Sequence, residues 1–302
     1  MNYKRVRGVI VPIVTPLNAN GQLNHDAVAP LVDYLIERGI QGVFPLGTTG
    51  EGPLFSTEER KAFAQTVVNA VHGRIAVIVH TGAITTAETI DLTRHAHDIG
   101  ADAVAIIPPW YHKLTDAGLL RHIRTVAQAV PEMPIYLYEN PGVTPNRFST
   151  SMVKELAETV PNVVGIKDSS GSLETLFLAR NFKDGQFNTA SGPDKLLLAA
   201  LMMGVDACVS GTANAVPELV VGVFNAVQAN DMDTARRLQE GLINVCNLLG
   251  DGSDLSMYKG LLALRGIDVG QVRPPLVPNA DEKFAANWEI IRDTYMPEGL
   301  LR

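Results

Sequence analysis

The chain has 302 residues, 46% hydrophobic and 19% charged, which is ordinary globular composition and excludes a disordered chain. Its 25 basic and 32 acidic residues leave a net charge of −7 with no Lys/Arg run to offset it, so no nucleic-acid partner is expected. No apolar stretch approaches the roughly 18 residues of a membrane span, and two cysteines without close spacing, Cys208 and Cys246, give neither a disulfide framework nor a zinc site. No membrane partner is expected, and a reducing cytoplasm is the compartment that fits.

The N-terminus, "MNYKRVRGVIVPIVTP", places basic residues before an apolar run, as a signal peptide does. Pro12 and Pro16 interrupt that run and no small-residue cleavage site follows, so "GVIVPIVT" (8–15) reads as a first strand. Further strands follow at "GVFPLG" (42–47), "IAVIVH" (75–80), "DAVAIIP" (102–108), "PIYLYE" (134–139), "NVVGIKD" (162–168), "FNTAS" (187–191) and "DACVSG" (206–211). Amphipathic stretches such as "HDAVAPLVDYLIERG" and "TEERKAFAQTVVNAVHG" separate them, each ending near glycine as a helix C-terminus does. Several of the strands are apolar without alternation, the mark of parallel strands covered on both faces. The pattern predicts a (β/α)8 TIM barrel over 1–230 that carries the active site. An open doubly wound sheet is the alternative, but no G-x-G-x-x-G follows the first strand. Beyond about residue 230 the strands stop, and "DMDTARRLQEGLINVCNLLG", "SDLSMYKGLLALRG" and "ADEKFAANWEIIRDTYM" predict a C-terminal helical extension over 231–302 packed on the barrel.

The sixth strand, "VVGIKDSS" (163–170), carries a lysine where core residues are needed. Alternation along a strand puts Val163, Gly165 and Lys167 on one face and Val164 and Ile166 on the other, helix-facing side. Lys167 then points into the barrel near its C-terminal mouth, where this fold keeps its catalytic groups. One reading is a structural lysine, paired with an acid or reaching solvent. The other is chemical. A free lysine, with a pKa of about 10.4, is almost wholly charged at pH 7, and desolvation favours the neutral amine that attacks a ketone to form a Schiff base. Tyr138, near the end of the neighbouring strand, supplies a phenol that can move protons at the substrate oxygen; otherwise it caps the barrel core. After strand two, "GTTGEG" (47–52) offers Gly47, Thr48 and Thr49 as an anion nest suited to a carboxylate, though a plain turn gives the same letters.

Six motifs, "PLGTTGE", "PPWY", "YENP", "VVGIKDSSG", "VSGTANAVPE" and "VRPPLVP", stand in the order and spacing of one family. From about residue 6 to 280 the chain resembles the dihydrodipicolinate synthase / N-acetylneuraminate lyase family. The resemblance implies that Lys167 is the Schiff-base lysine, Tyr138 the proton-transfer tyrosine, and Thr48 and Thr49 the carboxylate and relay threonines. It implies that Tyr111 reaches a neighbouring subunit's site, that Gly192 and Val209 lie around a bound pyruvate moiety, and that the assembly is a homotetramer or homodimer.

Three departures bear on the substrate. The synthases of that family carry an arginine two residues after the proline of the strand-five motif, and here that place holds Val143. Arg147 lies about a turn further on and is not expected to substitute. Glu139 stands where asparagine is usual and His80 where glycine is usual. Both are expected either to read a hydroxylated or charged substrate tail or to be solvated loop-edge residues. The chain therefore reads as a pyruvate-dependent Schiff-base aldolase or dehydratase acting on a 2-keto-3-deoxy sugar acid, with pyruvate and an aldehyde as its partners. The alternatives are a synthase condensing pyruvate with aspartate semialdehyde, and a barrel that binds a keto acid without chemistry. A metal-dependent aldolase is a third option. His95 and His97 face different ways on a helix and no H-E-x-x-H is present, so no metal and no cofactor are expected.

Overall fold

The structure, a computed structural model, describes Tyr3, residues 5–252 and residues 254–296. Its strands are β1 (Gly8–Val11), β2 (Gly42–Val43), β3 (Ala76–His80), β4 (Ala103–Ile106), β5 (Ile135–Glu139), β6 (Val163–Asp168), β7 (Asn188–Ser191) and β8 (Ala207–Val209). They pair in parallel in chain order and β8 returns to β1, closing a TIM barrel. Strand β2 is shorter than its apolar run because Pro45 has no N–H to donate and Leu46 turns out of the sheet with a φ of 64°.

Between the strands lie α1 (Val28–Glu37), α2 (Thr57–Val71), α3 (Thr86–Asp98), α4 (Asp116–Ala129), α5 (Thr150–Thr159), α6 (Leu173–Ala179), the short α7 (Phe182–Gly185), α8 (Leu197–Met202) and α9 (Pro217–Gln228). Hydroxyl side chains start several of them. Ser56 accepts from the Glu59 backbone while the Glu59 carboxylate accepts from the Ser56 backbone, and Thr85, Thr115 and Ser149 cap α3, α4 and α5. Such a cap contributes about 1 kcal/mol and fixes where each βα loop ends. The apolar residues form an outer core between strands and helices and a smaller inner core that includes Ile10, Phe44, Ile78, Tyr136 and Val209.

Strand β6 departs from simple alternation. The β5–β6 register slips so that Ile135 pairs with Val163 and Tyr136 with Gly165. Val164 consequently belongs to the inner core, not to the helix-facing side that alternation assigned it, while Val163 and Ile166 pack outward. Beneath Lys167 the chain needs glycine, because a Cβ on Gly165 would lie 2.6 Å from the Asn188 carbonyl oxygen and 2.6 Å from the Tyr136 ring.

After the barrel come α10 (Met232–Leu248), α11 (Leu255–Leu264) and α12 (Asp281–Ile290). Leu242, Val245, Leu261, Leu262 and Phe284 of these helices are buried in the same outer core as the barrel helices. Ser253 and residues 297–302, all within the predicted extension, lie outside the described residues. No helix among the described residues is long and apolar enough to cross a membrane.

Candidate active site

Strands β5 and β6 bring the two chemical side chains together by register, since Tyr138 pairs with Lys167 and the next residues, Glu139 and Asp168, also pair. Lys167 Nζ lies 3.9 Å from the centre of the Tyr138 ring and 4.7 Å from that of Phe44. The lysine has no carboxylate partner among the ion pairs of the described residues, so the reading of it as a paired structural lysine finds no support. The Tyr138 hydroxyl is 3.1 Å from Thr48 Oγ1 and accepts from Asn140 Nδ2 at 3.0 Å. Burial pushes the phenol up, but the Lys167 charge and the bonds from Thr48 and Asn140 outweigh it. The Tyr138 pKa therefore lies below that of an ordinary tyrosine.

These groups open into a cavity of about 450 Å³ at the C-terminal mouth of the barrel. Thr48, Thr49, Tyr138, Lys167, Gly192 and Val209 line it. The strand-two loop that carries the threonines is held from behind, because Gly52 and Glu51 donate to the carbonyls of Gly47 and Thr48 and Thr15 Oγ1 donates to that of Gly50. Gly47 is off the cavity wall and packs on Phe44, where a Cβ would come within 2.7 Å of the ring.

Three other expected residues stand elsewhere. His80 is buried below the cavity, its ring 5.8 Å from Tyr138 and edge-on to it, and its Nδ1 donates to the Leu46 carbonyl at 3.0 Å. Burial, reinforced by Arg60 and Lys167, holds the imidazole neutral, well below the ordinary histidine range. It is a floor under Tyr138 and does not reach a substrate tail. Glu139 also faces away from the cavity, since alternation after an inward Tyr138 turns it outward. Its carboxylate accepts from Arg147 Nε at 2.9 Å and from the Phe148 backbone at 2.8 Å, pinning the β5–α5 loop. Burial raises the Glu139 and Asp168 pKa values alike. Tyr111 is 83% exposed with a left-handed φ of 76°, and it does not touch the cavity of its own chain.

The cavity has a further wall that strand-end reasoning did not find. Beside Val143, which the sequence had already singled out, Asn140 and Ser169 line it from the β5 and β6 loops, and Asp194 and Thr212 from the β7 and β8 loops. Cys246 lines it from α10, Asp251 and Gly252 from the turn that follows, and Tyr258 from α11. Asp194 stands two residues past Gly192, so the position of that glycine held the clue; the residues after 240 carried none. Burial raises the Asp194 pKa, and its Oδ1 is buried without a hydrogen-bond partner.

Comparison with known proteins gives the family. The model of the dihydrodipicolinate synthetase family matches residues 5–293. The chain belongs to that family. Membership brings a class I lyase activity, which works through a lysine Schiff base. An uncharacterized DapA-like lyase of Halobacterium salinarum is 36% identical over 93% of this chain and 91% of its own. A 4-hydroxy-tetrahydrodipicolinate synthase of Gluconobacter oxydans is 34% identical over 91% and 92%. Among solved structures, a prophage protein of the dihydrodipicolinic acid synthase family from E. coli K12, in complex with pyruvate, superposes with a TM-score of 0.89 at 32% identity, covering 95% of this chain and 97% of that one.

Proposed function

We propose that the protein cleaves, or dehydrates, a 2-keto-3-deoxy sugar acid through an imine on Lys167, releasing pyruvate in the cleavage case. The observation that carries this is the Lys167 amine, without a carboxylate partner among the described residues, packed on the ring of Tyr138, whose hydroxyl is held by Thr48 and Asn140. The Lys167 amine adds to the C2 ketone of the substrate and loses water, giving a protonated imine. Breaking the C3–C4 bond sends its electron pair into the imine to form an enamine. Tyr138 takes the proton from the C4 hydroxyl as the aldehyde leaves, and Thr48 relays it. Protonation at C3 and hydrolysis of the imine then free pyruvate. Thr48 and Thr49, with Gly47 shaping their turn, hold the keto-acid carboxylate, and Gly192 and Val209 bound the three-carbon end.

The second substrate half is argued from what the cavity offers. Val143 cannot bind a carboxylate where the synthases have an arginine, and Arg147, bonded through Nε to Glu139, does not line the cavity. Asn140, Asp194, Thr212 and Asp251 supply hydrogen-bonding groups suited to hydroxyls. Condensation of pyruvate with aspartate semialdehyde is the second reading, favoured by the names that the relatives carry. Division of the chain at about residue 230 into barrel and extension, a cytoplasmic location, and a homotetramer or homodimer in which the exposed Tyr111 reaches a neighbouring copy's site complete the proposal. Reduction with borohydride in the presence of pyruvate is its test. A reduced pyruvyl adduct on Lys167 is expected, absent in Lys167→Ala, and an unmodified wild-type mass would end the reading. Specificity constants measured side by side decide the substrate: the sugar acid should exceed the semialdehyde by about tenfold, or about 1.4 kcal/mol in transition-state binding.

A further inference from the structure

The turn assigned to the keto-acid carboxylate contains an acid of its own. Glu51 closes "GTTGE" with a left-handed φ of 57°, is 2% exposed, and does not line the cavity. Thr49 and Glu51 are two residues apart, so their Cα atoms lie within about 7.6 Å of each other. A carboxylate buried on the same short turn, away from bulk water, opposes the binding of a second one there unless a cation offsets it.

The compensating cation arrives from the far end of the chain. Lys259 of α11 places Nζ 2.7 Å from Glu51 Oε1, with the two side chains 1% and 0% exposed. The same ammonium donates to the backbone oxygens of Thr15 and Gln271, each at 2.8 Å, which fixes it in place beside the carboxylate. Glu51 Oε2 accepts from the backbone N–H of Arg273 at 2.6 Å, while the Arg273 guanidinium is taken up by Glu59 at 2.6 Å. Among the described residues, Lys259 is the side-chain cation that Glu51 pairs with. Burial pulls the Lys259 pKa down, and the Glu51 charge opposes that pull.

We propose that Lys259 is a positioning residue that cancels the Glu51 charge behind the Thr48–Thr49 turn, which makes the C-terminal extension part of the machinery that admits an anionic substrate. The inference rests on the Schiff-base reading above and goes beyond it, because a strut that only stabilised the fold would not distinguish charged from neutral ketones.

The test uses borohydride trapping of the full chain with two ketones, pyruvate and its neutral methyl ester. Lys259→Met leaves Glu51 uncompensated, so the half-saturating concentration of pyruvate should rise at least about tenfold while that of methyl pyruvate moves less than about twofold. Glu51→Gln leaves the ammonium in place, and pyruvate should bind about twofold to threefold more tightly. The double variant Glu51→Gln/Lys259→Met has no lone buried charge, and pyruvate should return to within about threefold of wild type. An equal loss for both ketones in Lys259→Met, or weaker pyruvate binding in Glu51→Gln, overturns the inference. If Lys259→Met does not fold, the double variant decides: recovery of pyruvate binding supports the proposal, and a tenfold loss overturns it. Failure of the wild type to be trapped would bring down the Schiff-base reading itself, a different outcome from any of these.

Discussion

Replacing Tyr138 by Phe separates proton transfer from every other role of this residue. The ring is 1% exposed, meets Phe44 at 5.7 Å and His80 at 5.8 Å, and lies 3.9 Å below Lys167 Nζ. Phenylalanine keeps all of these contacts. What disappears is the hydroxyl, with its bonds to Thr48 and Asn140. Both partners stand on the cavity wall, where water replaces the lost acceptor. The folding cost therefore falls at the low end of the range for a broken hydrogen bond, about 1 kcal/mol. In a chain of this size that moves Tm by no more than about 2–4 °C. Turnover is another matter, because losing a positioned acid–base costs about 10²–10⁴-fold, or about 2.7–5.4 kcal/mol in the barrier.

The assay is sugar-acid cleavage with pyruvate release as readout, run across pH beside the borohydride adduct. In wild type, a limb of the rate profile should belong to the phenol and lie below the ordinary tyrosine value of about 10, because the Lys167 charge and two hydrogen bonds favour the phenolate. In Tyr138→Phe that limb should vanish and turnover collapse, while the adduct on Lys167 still forms. Wild-type turnover in the variant would reassign Tyr138 to packing. A variant that loses adduct and turnover in proportion would show that the hydroxyl orients the lysine instead.

Two further changes probe the pocket and the fold. Val143→Arg returns a guanidinium to the cavity rim, where Val143 is 47% exposed, and should raise the specificity constant for aspartate semialdehyde by about tenfold at the expense of the sugar acid; no gain there would remove Val143 from the specificity argument. Burial lowers His122 to about 4. Above its unfolded pKa of about 6.5 the ring is neutral in both states, and as pH falls towards 4 only the unfolded chain takes the proton. Stability should therefore drop by about 2 kcal/mol by pH 5 through this group, with buried His80 acting in the same direction. Urea unfolding at pH 7 and pH 5 should show a smaller drop in His122→Gln, and an unchanged drop would place the acid sensitivity elsewhere.

The barrel was legible because parallel strands covered on both faces tend to be apolar throughout, as several here are, and eight strands alternating with helices leave few topologies. Lys167 and Tyr138 were legible for a related reason. Their strands are neighbours in sequence order, so side chains near both C-terminal ends meet at one mouth. Val164 was misplaced because a register slip is set by the facing strand and leaves no mark in its own residues. His80 was misread because the end of a strand fixes direction but not depth, and the Tyr138 ring covers it. The wall formed by Asp251, Gly252 and Tyr258, like the Glu51–Lys259 pair, joins segments that are distant in the chain and belong to no local pattern.

Glu139 is the more instructive case, since the rule that placed Tyr138 inward already turned its neighbour outward. Once Glu139 faces the helices, its burial demands partners, and Arg147 and the Phe148 backbone supply them. That arrangement binds both ends of the β5–α5 loop, whose Asn140 steadies the Tyr138 hydroxyl and whose Val143 borders the cavity. It also turns the only arginine in that loop away from the substrate, because Arg147 is drawn through its Nε to Glu139 and its side chain does not line the cavity. The acid next to Tyr138 and the valine at the rim thus argue for the same proposed substrate class from opposite sides of one strand end.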